Sequence, residues 1–219
     1  MKANLTELVF ILDRSGSMGG MENDTIGGFN SMLAKQQNED GECRITTVLF
    51  DHEYELLHDR IDIKAVSQIT NNDYFVRGQT ALLDAVGKTI NKIGDAQKNT
   101  AEDYRAEKVL FVITTDGMEN ASRKFNYGKI KKMIEKQKSK YNWEFIFLGA
   151  NIDAVEVAGN FGISADRAQN FHNDSKGIEM NYHVLSKTIG AYRQAGVKNI
   201  SESWDKSIQE DYKSRGGRK

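Results

Sequence analysis

Apolar residues in this chain follow two spacings that alternate along its length. Val9, Phe10, Ile11 and Leu12 form an unbroken apolar run, the pattern of a strand covered on both faces. Ile26, Phe29 and Leu33 then recur at helical intervals, which predicts a helix over roughly 23–37. Strand-like runs follow at Arg44–Phe50 and Tyr54–Asp59, joined only by Asp51, His52 and Glu53. So short a connection predicts an antiparallel hairpin at one edge of a sheet. Leu83, Val86, Ile90 and Ile93 give the stripe of a second helix, and Lys108–Thr115 a fourth strand. Ile130, Met133 and Ile134 mark a third helix, Trp143–Leu148 a fifth strand, and Val155 and Val157 a short helix. Ala168–Phe171 is read as the last strand, and Ile178, Tyr182, Leu185, Ile189 and Tyr192 as the stripe of the closing helix. Strands alternating with helices predict an α/β fold: a doubly wound three-layer α/β/α sandwich on a mainly parallel six-stranded sheet with one antiparallel edge strand. In the common order of such sheets the first and fourth strands are neighbours. The winding reverses between them and leaves a crevice outside their carboxyl ends.

The polar residues that interrupt the pattern collect where that crevice should be. The first strand runs into Asp13-Arg14-Ser15-Gly16-Ser17, which presents a carboxylate and two hydroxyls at alternate positions, with Gly16 allowing a sharp turn. The fourth strand ends in Thr115-Asp116-Gly117, and the loop Arg77-Gly78-Gln79-Thr80 places Thr80 where the second helix begins. Oxygen donors at the carboxyl ends of buried strands suit a hard cation such as magnesium. A polar loop whose Ser and Asp side chains cap the next helix is the alternative for any one of these segments taken alone.

Together the three segments resemble the von Willebrand factor A domain and its metal-ion-dependent adhesion site, over about Leu5 to Ala195. The resemblance implies a Rossmann-like fold in which Ser15, Ser17 and Thr80 bind the metal through hydroxyls. Asp13 and Asp116 would stand close by and hold the metal's waters. Magnesium is the implied ion, with manganese able to substitute. Three neutral hydroxyls leave the ion's charge largely uncompensated, so an open position should favour an Asp or Glu carboxylate of another protein. The implied function is a metal-dependent protein-binding module without enzymatic activity of its own. By analogy with stand-alone bacterial and phage members, an ATPase or a stress-response system is the expected kind of partner.

Composition narrows the picture further. At 219 residues one domain with a substantial core is expected, assigned to 1–198, with 199–219 as a C-terminal extension, partly helical or disordered. Ile200, Trp204 and Ile208 lie four residues apart and could pack a short helix back on the domain, before a solvated basic end from Lys213 to Lys219. A net charge of −1 gives no reason to expect nucleic acid or an acidic membrane as partner. No apolar stretch approaches the length of a membrane span. Cys43 is the single cysteine, so no internal disulfide can form, and a cytoplasmic location is expected.

One rival chemistry competes. Asp13-Arg14-Ser15-Gly16-Ser17 also looks like the nucleophile loop of haloacid-dehalogenase phosphoryl transferases, with Thr80 as the second-motif hydroxyl and Asp116–Asn120 as a magnesium loop. That reading makes Asp13 the nucleophile. It lacks an acid two residues on, where Ser15 stands, and a phosphate-binding lysine, since Lys108 lies at the wrong end of its strand. The histidines His52, His58, His172 and His183 are scattered without zinc-ligand spacing. Asp84 is read as an outer contact of the metal or a plain surface carboxylate. Glu119 and Asn120 are read as rim residues or as caps of the helix that follows. The lysine-rich stretch 129–140 is read as the solvated face of an amphipathic helix.

Overall fold

The computed structural model describes residues 1–194 and 196–217, so the last two residues of the predicted basic end lie outside the described residues. Six strands form one sheet: β1 (Lys2–Asp13), β2 (Glu42–Phe50), β3 (Tyr54–Asp62), β4 (Ala106–Asp116), β5 (Glu144–Ala150) and β6 (Ala168–Asn170). Their order is β3-β2-β1-β4-β5-β6, and β1 and β4 are neighbours, as the alternation of patterns predicts. All pairings are parallel except β2 with β3, which the short 51–53 connection forces to be antiparallel.

The strands run longer than the apolar runs that announce them. β1 begins at Lys2 and β3 reaches Asp62, because backbone pairing continues where the side chains turn polar. β3 is an edge strand with no fully buried residue, so hydropathy alone ends it early.

The side chains of β1 alternate between two cores, as the pleat requires. Leu8, Phe10 and Leu12 enter one core with α1 (Glu22–Gln37) and α5 (Ser175–Arg193). Leu5, Val9 and Ile11 enter the other, with α2 (Leu82–Asn99), α3 (Tyr127–Tyr141) and α4 (Ala154–Asn160). Helices thus cover both faces, which gives the three-layer sandwich. In α3 only Ile130 and Ile134 are buried, and the lysines face outward. Ile200, Trp204 and Ile208 are buried in the first core, and α6 (Lys206–Ser214) packs against α5 and β6. No helix among the described residues is long and apolar enough to cross a membrane. Cys43 is buried, and desolvation pushes its thiol up to about 12.

Candidate metal centre

β1 and β4 deliver Asp13 and Asp116 side by side, because parallel neighbours in register end together. The chain leaves β1 in a short helical turn, Gly16–Met18, that brings Ser15 and Ser17 back over the strand ends. Ser15 Oγ lies 3.1 Å from Ser17 Oγ, and Thr80 Oγ1 donates to Ser15 Oγ at 3.0 Å. Ser17 Oγ donates in turn to the carbonyl of Asp116. All five residues singled out in the sequence therefore meet in one place.

Asp13 is nearly fully buried. Its Oδ1 accepts from the Ser15 amide at 2.7 Å, and its Oδ2 from the Thr115 hydroxyl at 2.6 Å and the Asp116 amide at 3.2 Å. Desolvation raises its carboxyl above the ordinary range despite these donors. Asp116 is also raised by burial, and the side-chain amides of Asn151 and Asn173 oppose the shift by donating to its two oxygens. Among the described residues no cationic side chain stands against either of these two buried carboxylates, which favours a negative spot.

The loop bearing Thr80 is fixed by a buried hub. Asp51 accepts from Arg14 Nε at 3.1 Å and from Arg77 Nε at 2.7 Å, and its carbonyl accepts from the Ala81 amide at 2.8 Å. Backbone bonds from Arg77 to the Arg14 carbonyl, 2.9 Å, and from Gly16 to the Gly78 carbonyl, 3.1 Å, sew the first loop to the second. Gly78 sits at φ +70°, and an added Cβ would collide with the His52 ring, so glycine is required there. Tyr74, buried, donates its hydroxyl to the Asp13 carbonyl at 2.6 Å.

The donor set suits a small divalent cation. In an octahedron with metal–oxygen distances of about 2.1 Å, adjacent oxygens stand about 3.0 Å apart, close to the two hydroxyl separations above. Ser17 is exposed while Ser15 and Thr80 are buried, so the cluster opens to solvent on one side. Among the described residues no three His, Cys, Asp or Glu side chains gather to hold a metal ion, so any such site here depends on hydroxyls.

Three expectations are revised. Thr80 precedes α2 by two residues rather than starting it, and its amide donates to Asn120 Oδ1 at 2.9 Å. Asp84 is not an idle surface carboxylate: it accepts from the amides of Arg123, Lys124 and Phe125 at 2.9–3.0 Å. Burial works against its charge, but these donors outweigh it and hold the carboxyl below the usual range. Glu119 caps the preceding helix, α2, through the Leu83 amide at 2.9 Å, whereas α3 is capped by Asn126. Asn151, Asn173, Tyr74 and Asp51 escape the sequence reading. Only Asn151 and Asp51 carry a signal, since each directly follows a strand at the crevice end.

The von Willebrand factor type A domain profile matches residues 7–181. No curated protein sequence matches the chain. Among solved structures, it is similar to the PilB minor pilin of Streptococcus sanguinis, at 10 % identity and TM-score 0.60, over 88 % of this chain and 63 % of that one. It is similar to proximal thread matrix protein 1 from the mussel byssus with a zinc-occupied MIDAS motif, at 14 % and 0.55, over 86 % and 46 %. It is also similar to the manganese-loaded TRAP protein of Plasmodium vivax, at 22 % and 0.51, over 67 % and 58 %. The chain spans less than two thirds of each of these proteins.

Proposed function

We propose that this chain, which belongs to the von Willebrand factor type A domain family, is a divalent-metal-dependent protein-binding module. Ser15, Ser17 and Thr80 would hold a magnesium ion directly, with manganese as a substitute, and Asp13 and Asp116 would hold its waters. The observation that carries the reading is the three-hydroxyl cluster at octahedral spacing beside two buried carboxylates. When bound, the ion supplies uncompensated positive charge and an exchangeable oxygen position, to which an Asp or Glu of a partner is the natural visitor. Met118, next to Gly117 and 71 % exposed, and Phe75, 43 % exposed, offer apolar surface beside the site. Such surface suits a macromolecular partner better than a small metabolite. The zinc-occupied MIDAS motif of proximal thread matrix protein 1 and the manganese loading of the TRAP protein are consistent in kind. The expected partner class, an ATPase or a stress-response system, rests on analogy, and the cytoplasmic setting on Cys43 being the single cysteine.

Phosphoryl transfer is the second reading, and two features weigh against it. Both Asp13 oxygens are tied by hydrogen bonds, which blunts a nucleophile. Lys108 is spent on the carbonyls of Tyr192 and Gln194, both at 2.7 Å, at the far end of β4. The test is capture of partners from a lysate with magnesium or with chelator, alongside turnover of a generic phosphate ester. Partners retained only with magnesium, and no turnover, are expected. Turnover that disappears in Asp13→Asn would overturn the reading in favour of the enzyme.

A further inference from the structure

A groove of ≈ 920 Å³ starts at Gln79 and Asn120, beside Thr80, and runs between α2, the 51–54 connection and the loop that joins β4 to α3. Its charge is lopsided in what it leaves available. The acids along it are committed: Glu53 pairs with Arg77 at 2.6 Å, and Asp84 is consumed by three backbone amides. The cations are not. Lys88, Arg123 and Lys124 are exposed, and among the described residues none has a carboxylate within ion-pair distance. Lys88 instead lies 3.8 Å from the centre of the Tyr54 ring, which holds its ammonium over the groove floor.

The wall that carries Arg123 and Lys124 is built rather than loose. Besides the Asp84 bonds, Ser122 Oγ accepts from the Asp84 amide at 2.9 Å, and Glu119 accepts from the Ala121 and Ser122 amides at 2.9 and 2.7 Å. The Phe125 ring fills the space above Gly87 where a Cβ would otherwise stand. At the other end, the amides of Asn120 and Ala121 donate to the Thr80 carbonyl at 3.0 and 3.2 Å. The cationic wall and the metal cluster are thus one rigid surface, and a ligand meeting both would order neither.

We infer that this groove receives an acidic, extended segment of the partner protein, one carboxylate of which reaches the metal while its neighbours meet Lys88, Arg123 and Lys124. The inference rests on the metal-dependent binding reading and gives the partner a chemistry: several acids in sequence, not one. Asn91 and Asn120, also on the groove, offer side-chain amides to the segment's backbone.

The test uses fluorescein-labelled decaglutamate, a labelled Gly-Gly-Glu-Gly-Gly peptide and a labelled single-stranded oligonucleotide of equal charge, read by anisotropy on the whole chain with magnesium or chelator. Removing three solvent-exposed charge contacts should together weaken decaglutamate about tenfold in Lys88→Gln/Arg123→Gln/Lys124→Gln. The same variant should leave the single-carboxylate peptide and the magnesium affinity unchanged. Chelator or Ser15→Ala should remove the magnesium-dependent part and leave a salt-sensitive remainder. Loss in the triple variant with no effect of chelator would support the groove and sink the metal reading. Loss with chelator but none in the triple variant would overturn the groove alone. No decaglutamate binding, or tighter binding of the oligonucleotide through the same three residues, would also overturn it.

Discussion

At the scale of single residues, the proposed metal would account for the burial of Asp13 and Asp116, which have no cationic side chain beside them among the described residues. Burial raises the carboxyls of both Asp13 and Asp116. In the metal-free chain, a carboxyl raised in the fold contributes stability in acid that is lost as pH climbs through its folded value. A cation reverses this, since it needs the charged forms and binding releases their protons. The gain in Tm from saturating magnesium should therefore be larger at about pH 7.5 than at about pH 5, as thermal unfolding with and without the ion would show. An equal gain at both would mean these carboxyls do not attend the ion. The five candidate residues were legible because each lies in a short motif at a strand end or helix start. Asn173 was not, because a single amide in the loop after β6 gains meaning only when the fold sets it against Asp116 and the Ser17 carbonyl.

Among the elements, periodicity located every strand and long helix, since their apolar stripes had only one way to be buried. Their ends were harder to read: backbone pairing carries β1 back to Lys2 and β3 on to Asp62 through polar residues. Contacts between helices were also hidden in the sequence. Gly28, in the middle of α1, faces α5 so closely that an added methyl would enter the Tyr182 ring. Alanine favours an isolated helix by about 1 kcal/mol over glycine, whereas overpacking a core costs about 1–3 kcal/mol. Tyr182 is buried and cannot swing clear, so packing should win. Gly28→Ala should lower the urea midpoint by an amount equivalent to about 1 kcal/mol; a higher midpoint would show that α1 and α5 are free to separate.

For the molecule as a whole, the order of strands fixes where function can reside, because it is the reversal between β1 and β4 that brings residues 13 and 116 together. The tail lies beyond the matched 7–181 region, yet Trp204 is buried and its indole donates to the Asp166 carbonyl at 2.8 Å. Trp204→Ala should cost about 3–5 kcal/mol by chemical unfolding, with magnesium affinity retained; an unchanged midpoint would make the tail an appendage. One titration tests the metal centre most directly. Calorimetry of the purified chain with magnesium should show a single ion bound, and binding weakened at least about tenfold in Ser15→Ala and in Asp116→Ala. A wild-type chain that takes up no ion, or variants that bind as it does, would contradict the claim that these side chains form a metal centre.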